Sequence, residues 1–109
     1  MYVDEQSALS RLGGNKKLYY TLLKSFKNDN QIDILKEKMS TGDIQQSILS
    51  SHSIKGIAAN LSLMNLYEES SMLEIKLKDN QIDMDALDNL KTILDATINE
   101  IDRLLAAAE

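Results

Sequence analysis

The chain holds one histidine, His52, and places Lys55 and Gly56 three and four residues after it in the run His52-Ser53-Ile54-Lys55-Gly56-Ile57-Ala58-Ala59-Asn60-Leu61. On a helix, positions i+3 and i+4 share a face with position i, so the lysine and the glycine flank the imidazole. Glycine in a helix interior costs about 1 kcal/mol relative to alanine. No helix end is signalled at Gly56, and a missing side chain one turn from a histidine is useful where something must approach the ring. A neutral imidazole carries a lone pair on its free nitrogen and can attack phosphorus to give an N-phosphoryl intermediate. Phosphoryl transfer asks a protein for in-line positioning and charge stabilisation more than for bond-making groups. Lys55 can supply positive charge near the phosphoryl oxygens, and Gly56 clears the approach.

Taken singly, each of these residues has a plain structural reading. A lone helical histidine is more often structural than reactive, Lys55 alone is a solvated lysine, and Asn60 either bonds to backbone near the helix end or belongs to the site. Their coincidence weighs against that. From this chain's composition, Lys, Gly and Asn fall at those three offsets from a given residue in roughly one case in four thousand. The sequence offers no second catalytic group beside His52: no phosphate-cradling glycine loop, no nucleotide motif and no acidic cluster set for Mg²⁺.

The run H-S-I-K-G-I-A-A-N-L resembles the active-site helix of histidine phosphotransfer (HPt) domains, whose pattern is roughly H-x-x-K-G-x-[AS]-x-N-[LI]-G, with one departure at Ser62 where the pattern has a second glycine. The order S-A-L-S-R-L-G-G-N followed by L-Y-Y-T-L-L-K-S-F is similar to the start of HPt domains attached to bacterial hybrid sensor kinases, and S-T-G-D before the histidine helix is similar too. The likeness covers most of the chain, more weakly after residue 65. It implies a phosphocarrier in a multistep phosphorelay, not an enzyme by itself. The partner would be a response-regulator receiver domain whose phosphoaspartate, Mg²⁺ and lysine act on His52 in trans. It further implies Nε2 as the phosphorylated atom, transfer both to and from receivers, and a position for the Phe26 end of its helix near the docking face.

Behind the motif stands a chain of 109 residues without proline or cysteine and with four glycines. Its length suits a single domain, 1–109, with one core and no room for a cofactor domain. Such a composition permits long helices and disfavours a turn-rich β fold. Without cysteine there is no disulfide, thiol nucleophile or thiolate metal site, which fits a reducing, cytoplasmic setting. The formal net charge of −5 opposes nucleic-acid and anionic-membrane binding. No apolar run approaches the roughly 18 residues of a spanning helix, and Met1-Tyr2-Val3-Asp4 lacks the order of a signal peptide. The ending Ala106-Ala107-Ala108-Glu109 reads either as a frayed helix end or in part as a remnant foreign to the domain.

The elements that position the motif follow from periodicity and caps. Residues 4–12 form a short helix capped by Asp4, with Ala8, Leu9 and Leu12 on one face, and Gly13-Gly14 stop it. Asn15 caps a stronger helix whose stripe of Leu18, Tyr19, Leu22, Leu23 and Phe26 reads as core. Asp29-Asn30-Gln31 is polar enough to break it, yet Ile32, Leu35 and Met39 continue a helical period, so residues 15–40 are either one kinked helix or two. Thr41-Gly42 ends this element, and Asp43 caps the next, which carries His52. A helix follows with Leu66, Tyr67, Met72, Leu73 and Leu77, ending near Asp79-Asn80. The last element starts near Met84 and carries Leu87, Leu90, Leu94, Ile98, Ile101 and Leu105 in a near-heptad stripe. The pentapeptide Asp-Asn-Gln-Ile-Asp occurs at 29–33 and again at 79–83, and it reads as two similar polar breaks. The expected fold is all-α: an antiparallel up-down four-helix bundle with an additional short N-terminal helix.

Placed at about 100° per residue, Ile54, Ile57, Ala58 and Leu61 fall opposite His52 and should face the core. His52 is then directed outward, with Gln45, Ile48, Ala59 and Gly56 on its own side, Ile44 and Lys55 on one flank and Leu49 on the other. Apolar residues beside an outward histidine suggest a docking patch, with Gln45, Ile48, Leu49 and Ala59 as its members, and the resemblance to HPt domains implies Phe26 as a further one. Ser47, Ser50, Ser51, Ser53 and Ala58 would let neighbouring helices approach closely.

Two rivals remain. A helical interaction module would bind a receiver or other partner without carrying phosphate. The dimerisation and phosphoacceptor domain of a histidine kinase usually has an acidic residue after its histidine and a proline within a turn or so; Ser53 and the lack of proline argue against it, and the expected state is a monomer. A zinc site is remote, because one histidine and no cysteine leave only carboxylates as co-ligands.

Overall fold

The computed structural model describes residues 1–108. Glu109, part of the ending discussed above, lies outside the described residues. The described chain is helical: α1 (Glu5–Arg11), α2 (Lys16–Phe26), α3 (Gln31–Ser40), α4 (Ile44–Leu61), α5 (Met64–Lys78) and α6 (Met84–Ala108).

The caps form where short polar side chains precede each apolar stripe. Asp4 accepts from the Ser7 amide at 3.1 Å, Asn15 from Leu18 at 3.0 Å and Asp43 from Gln46 at 3.1 Å, each satisfying an otherwise orphaned first-turn donor. Residues 15–40 resolve into two helices. The break follows from side-chain chemistry: Asp29 Oδ1 accepts from the Gln31 amide at 2.8 Å, a local turn that competes with continuing the helix. The second copy of the pentapeptide also interrupts the chain, but there Asp83 accepts from the Ala86 amide at 3.0 Å and opens α6. Gly42, at φ +76°, makes the left-handed turn between α3 and α4 that brings Asp43 into capping position.

Helix α4 makes its most extensive contacts with α5, and it also packs on α3; α6 lies against both α5 and α3, while α1 and α2 contact each other and α2 reaches α4. Small buried side chains on both helices meet where Ser51 of α4 bonds to α5. Ser47, Ser51 and Ser70 are fully buried, and the Ser51 hydroxyl donates to the Ser70 carbonyl at 2.9 Å. Ser53, by contrast, is exposed and bonds back to the Leu49 carbonyl of its own helix.

The buried core draws on every helix, with Ala8, Tyr19, Leu23, Leu35, Met39, Ile54, Ala58, Leu66, Leu73, Leu77, Leu90 and Ile101 among its members. On α2 the five-residue stripe divides. Tyr19, Leu23 and Phe26 are buried, whereas Leu18 and Leu22 stay exposed, because the neighbours of α2 cover a narrower arc than the stripe spans. Met72 on α5 is likewise exposed, and Ile57 on α4 is only half-buried. No helix among the described residues is long and apolar enough to cross a membrane.

Candidate functional site

Helix α4 runs 18 residues without interruption, and His52 sits at its middle with its side chain 66 % exposed. The core side of the helix, formed by Ser47, Ser50, Ser51, Ile54, Ala58 and Leu61, faces away from it. The imidazole therefore stands clear of the packed interior.

Gly56 is exposed one turn on, and a β-carbon built there meets nothing within 4 Å. Neither packing nor backbone conformation within the described chain calls for glycine at that position. Its helix-weakening effect has no internal counterpart.

The group that sequence reasoning missed is Glu74 on α5. Its carboxylate is 5 % exposed and reaches both functional candidates of α4: Oε1 lies 2.8 Å from His52 Nδ1, and Oε2 accepts from Lys55 Nζ at 3.0 Å. The sequence, in which no second catalytic group is identifiable beside His52, did not single out this contact. The turn at Ser62-Leu63 folds α5 back along α4 and brings together residues that are 22 apart in sequence.

Burial acts to raise the Glu74 carboxyl pKa, but hydrogen bonds from Lys55 and His52 and the charges of Lys55 and Lys78 outweigh it, and the net displacement is downward. An ionised carboxylate can only accept hydrogen bonds. Nδ1 of His52 must then carry the proton in this contact, which leaves the lone pair of the neutral ring on Nε2, the atom away from α5. A carboxylate in this contact fixes the orientation and tautomer of the ring.

Lys55 occupies a different place from the one its spacing suggested. Its side chain is 28 % exposed and its ammonium is tied to Glu74, beside the imidazole but on the Nδ1 side. The two side chains of α4 are thus linked through one buried acid of α5.

Of the proposed docking residues, Gln45 is exposed and Leu49 is 58 % exposed one turn before His52. Ile48 and Ala59 are half-buried; Ile44 and Ile48 pack partly against the core, and the Ala59 carbonyl accepts from Arg11 of α1 at 2.7 Å. Phe26 is buried and lines an open groove of about 280 Å³ together with Leu22, Ser25, Asp29, Ile57, Asn60 and Leu61. This groove lies toward the C-terminal end of α4 and does not include His52. Asn60 borders it, and the Asn60 carbonyl accepts from Arg11 at 3.2 Å.

The motif's departure at Ser62 has a backbone consequence. Ser62 closes α4 in the left-handed conformation, φ 56° and ψ 42°, where glycine is ordinarily favoured. Its hydroxyl accepts from Arg11 Nη2, and its carbonyl accepts from the Asp4 amide at 2.9 Å, so α1 is fastened across the end of α4.

No three His, Cys, Asp or Glu residues among the described residues cluster to hold a metal ion. Compared with family models, curated proteins and solved structures, the chain finds no match.

Proposed function

We propose that this chain is a histidine-containing phosphotransfer module. It takes a phosphoryl group onto His52 from the aspartyl phosphate of a response-regulator receiver domain and passes it to another receiver. The observation that carries this reading is the Glu74 contact, which holds the proton on Nδ1 and leaves Nε2 as an outward nucleophile.

The step balances on the groups at hand. The Nε2 lone pair forms the N–P bond as the P–O bond to the aspartate breaks, and the electron pair leaves on the aspartate carboxylate, a stable anion that needs no proton. The proton on Nδ1 stays where it is. The ring becomes a phosphorylated imidazolium whose positive charge faces ionised Glu74, and the next receiver's aspartate reverses the step. Lys55 supplies charge to the phosphoryl oxygens, and the missing side chain at Gly56 admits the donor. Phosphoryl transfer of this kind depends on positioning and electrostatics, and the remaining catalytic parts, Mg²⁺ included, belong to the receiver.

An antiparallel up-down four-helix bundle of α3, α4, α5 and α6, with α1 and α2 as N-terminal additions, is the scaffold that goes with this role. In its support, the contacts α3–α4, α4–α5, α5–α6 and α6–α3 close a ring. The module would work in the cytoplasm as a monomer, without nucleic-acid or membrane contact, docking receivers around Leu49, Gln45 and the exposed imidazole.

The test is incubation with a phosphorylated receiver and Mg²⁺. The expected product is an acid-labile, alkali-stable phosphate that is lost in His52→Gln. A chain that binds the receiver but never acquires label, or a His52→Gln variant that keeps its full role, would replace the carrier with a plain interaction module.

A further inference from the structure

Glu74 gathers three cationic or protonated groups and divides them unevenly. Oε1 has His52 Nδ1 to itself at 2.8 Å, whereas Oε2 holds Lys55 Nζ at 3.0 Å and has Lys78 Nζ at 3.9 Å. His52, Lys55 and Lys78 are the charged or titratable groups acting on this carboxylate. Two lysines thus address one oxygen. Lys55 comes across from α4, while Lys78 sits one turn after Glu74 on α5 itself and is 61 % exposed. At 3.9 Å its ammonium lies beyond hydrogen-bond range, so it is held by charge alone and needs to close by only about 1 Å to form a bond.

A buried carboxylate stripped of a partner is costly, because the lost hydrogen bond is not replaced by water. That constrains Lys55. If it turned from Oε2 to an anion on the far side of the imidazole, Glu74 would be left 5 % exposed with the imidazole as its sole bonded partner. An approach by Lys78 removes this penalty without moving either helix.

We propose that Lys78 is a positioning residue for the phosphotransfer proposed above: it closes onto Glu74 Oε2 as Lys55 leaves to meet a phosphoryl group on His52 Nε2. The inference rests on that reading of His52. In the unmodified protein Lys55 is the bonded cation and Lys78 the reserve; in the phosphorylated protein the two exchange places, so neither the buried acid nor the new phosphoryl group goes without a cation.

The test is a cycle of Lys55→Met, Lys78→Met and the double variant, with Lys78→Arg as the conservative control. The first readout needs no phosphate: Glu74 is titrated by carboxyl carbon NMR. Each single variant should keep the Glu74 pKa below the ordinary value, because the remaining lysine holds Oε2, and only the double variant should lift it above. The second readout is the rate of transfer from a phosphorylated receiver. Lys78→Met should slow it about fivefold to tenfold when Lys55 is present and less than about twofold in the Lys55→Met background, and Lys78→Arg should restore it. Equal effects of Lys78→Met in both backgrounds, or an unchanged Glu74 titration between Lys55→Met and the double variant, overturn the exchange. Failure of the unaltered chain to label at His52 overturns the phosphotransfer reading as well, and the titration cycle tells the two failures apart.

Discussion

His52 Nδ1 on α4 and Glu74 Oε1 on α5 lie 2.8 Å apart, and this contact decides which ring nitrogen is free to react. Replacing Glu74 by glutamine keeps a side-chain carbonyl that can accept from Nδ1 but removes the charge; alanine removes both. Transfer should therefore fall in the order unaltered, Glu74→Gln, Glu74→Ala. The alanine variant is expected to lose about tenfold to a hundredfold, the scale seen when an orienting partner is taken from a metal-bound imidazole. Nitrogen NMR of the ring should show the Nδ1–H tautomer giving way in the same order. An unchanged tautomer ratio in Glu74→Ala would remove Glu74 from the mechanism.

The same carboxylate gives the fold an acid limb. Its pKa is displaced below the ordinary value of 4.5, so the folded state holds its proton less tightly than the unfolded chain does. The stabilisation is fully present above about pH 4.5 and is lost as the pH falls through the folded value. Urea unfolding of the unaltered chain and Glu74→Gln should differ at pH 7 and converge on acidification below that point. A difference that stays constant down to pH 3 would show that the Lys55 and His52 bonds do no more than offset the burial of the carboxylate.

How much of this was legible depended on distance along the chain. His52, Lys55 and Gly56 fall within five residues on one helix, where spacing alone fixes relative direction, and the outward histidine and open glycine follow from it. Glu74 is 22 residues from His52, and their meeting depends on how α5 folds back and rotates against α4. A signal was present all the same. Glu74 stands four residues after Ser70 and between Leu73 and Leu77 on the buried stripe of α5, and a carboxylate on such a stripe has to find a cation. Periodicity also placed Ile48 on the outward side, although it is half-buried, because a helix flanked by both α3 and α5 keeps only a narrow exposed arc. The break after Phe26 stayed undecided in the sequence because apolar spacing continues in register across it, and only the Asp29 turn interrupts the backbone.

At Gly56 stability and the proposed transfer can be tested apart. Open space around its missing β-carbon means that Gly56→Ala should stabilise the fold by about 1 kcal/mol, through helix propensity and the unfolded chain. Gly56→Leu should keep the helical content and abolish transfer by filling the approach to His52. Calorimetry and labelling check the two halves independently. Normal transfer by the leucine variant would refute the steric role of the glycine.

Tyr19 gives the fold an alkaline limb. Burial foremost, with the nearby charges of Glu5 and Asp4, pushes its phenol up to about 12 from 10.0, and the hydroxyl donates to the Leu61 carbonyl at 2.8 Å. Because the folded pKa is raised, this stabilisation is intact below about pH 10 and is lost as the pH climbs toward 12. Tyr19→Phe should cost about 1 kcal/mol at neutral pH and flatten the fall in stability across that interval. Denaturant melts at several alkaline pH values decide it, and an equally steep fall in the phenylalanine variant would assign the limb to another group.

At the end of α4, strain and bonding oppose each other in one residue. Ser62 is left-handed, a conformation that costs a non-glycine residue roughly 1–2 kcal/mol, while its hydroxyl accepts from the guanidinium of Arg11, a bond worth about the same. Ser62→Gly should consequently change stability by less than about 1 kcal/mol. Arg11→Ala strips the Asn60 carbonyl of its donor, leaves the Ala59 carbonyl with only the Ser62 amide at 3.3 Å, and should cost about 1–2 kcal/mol. In the Arg11→Ala background the serine has no bond left to lose, so Ser62→Gly should there become stabilising by about 1 kcal/mol. Equal effects of Ser62→Gly in both backgrounds would show that Arg11 does not compensate the strained serine, and that α1 is held across α4 by its other contacts alone.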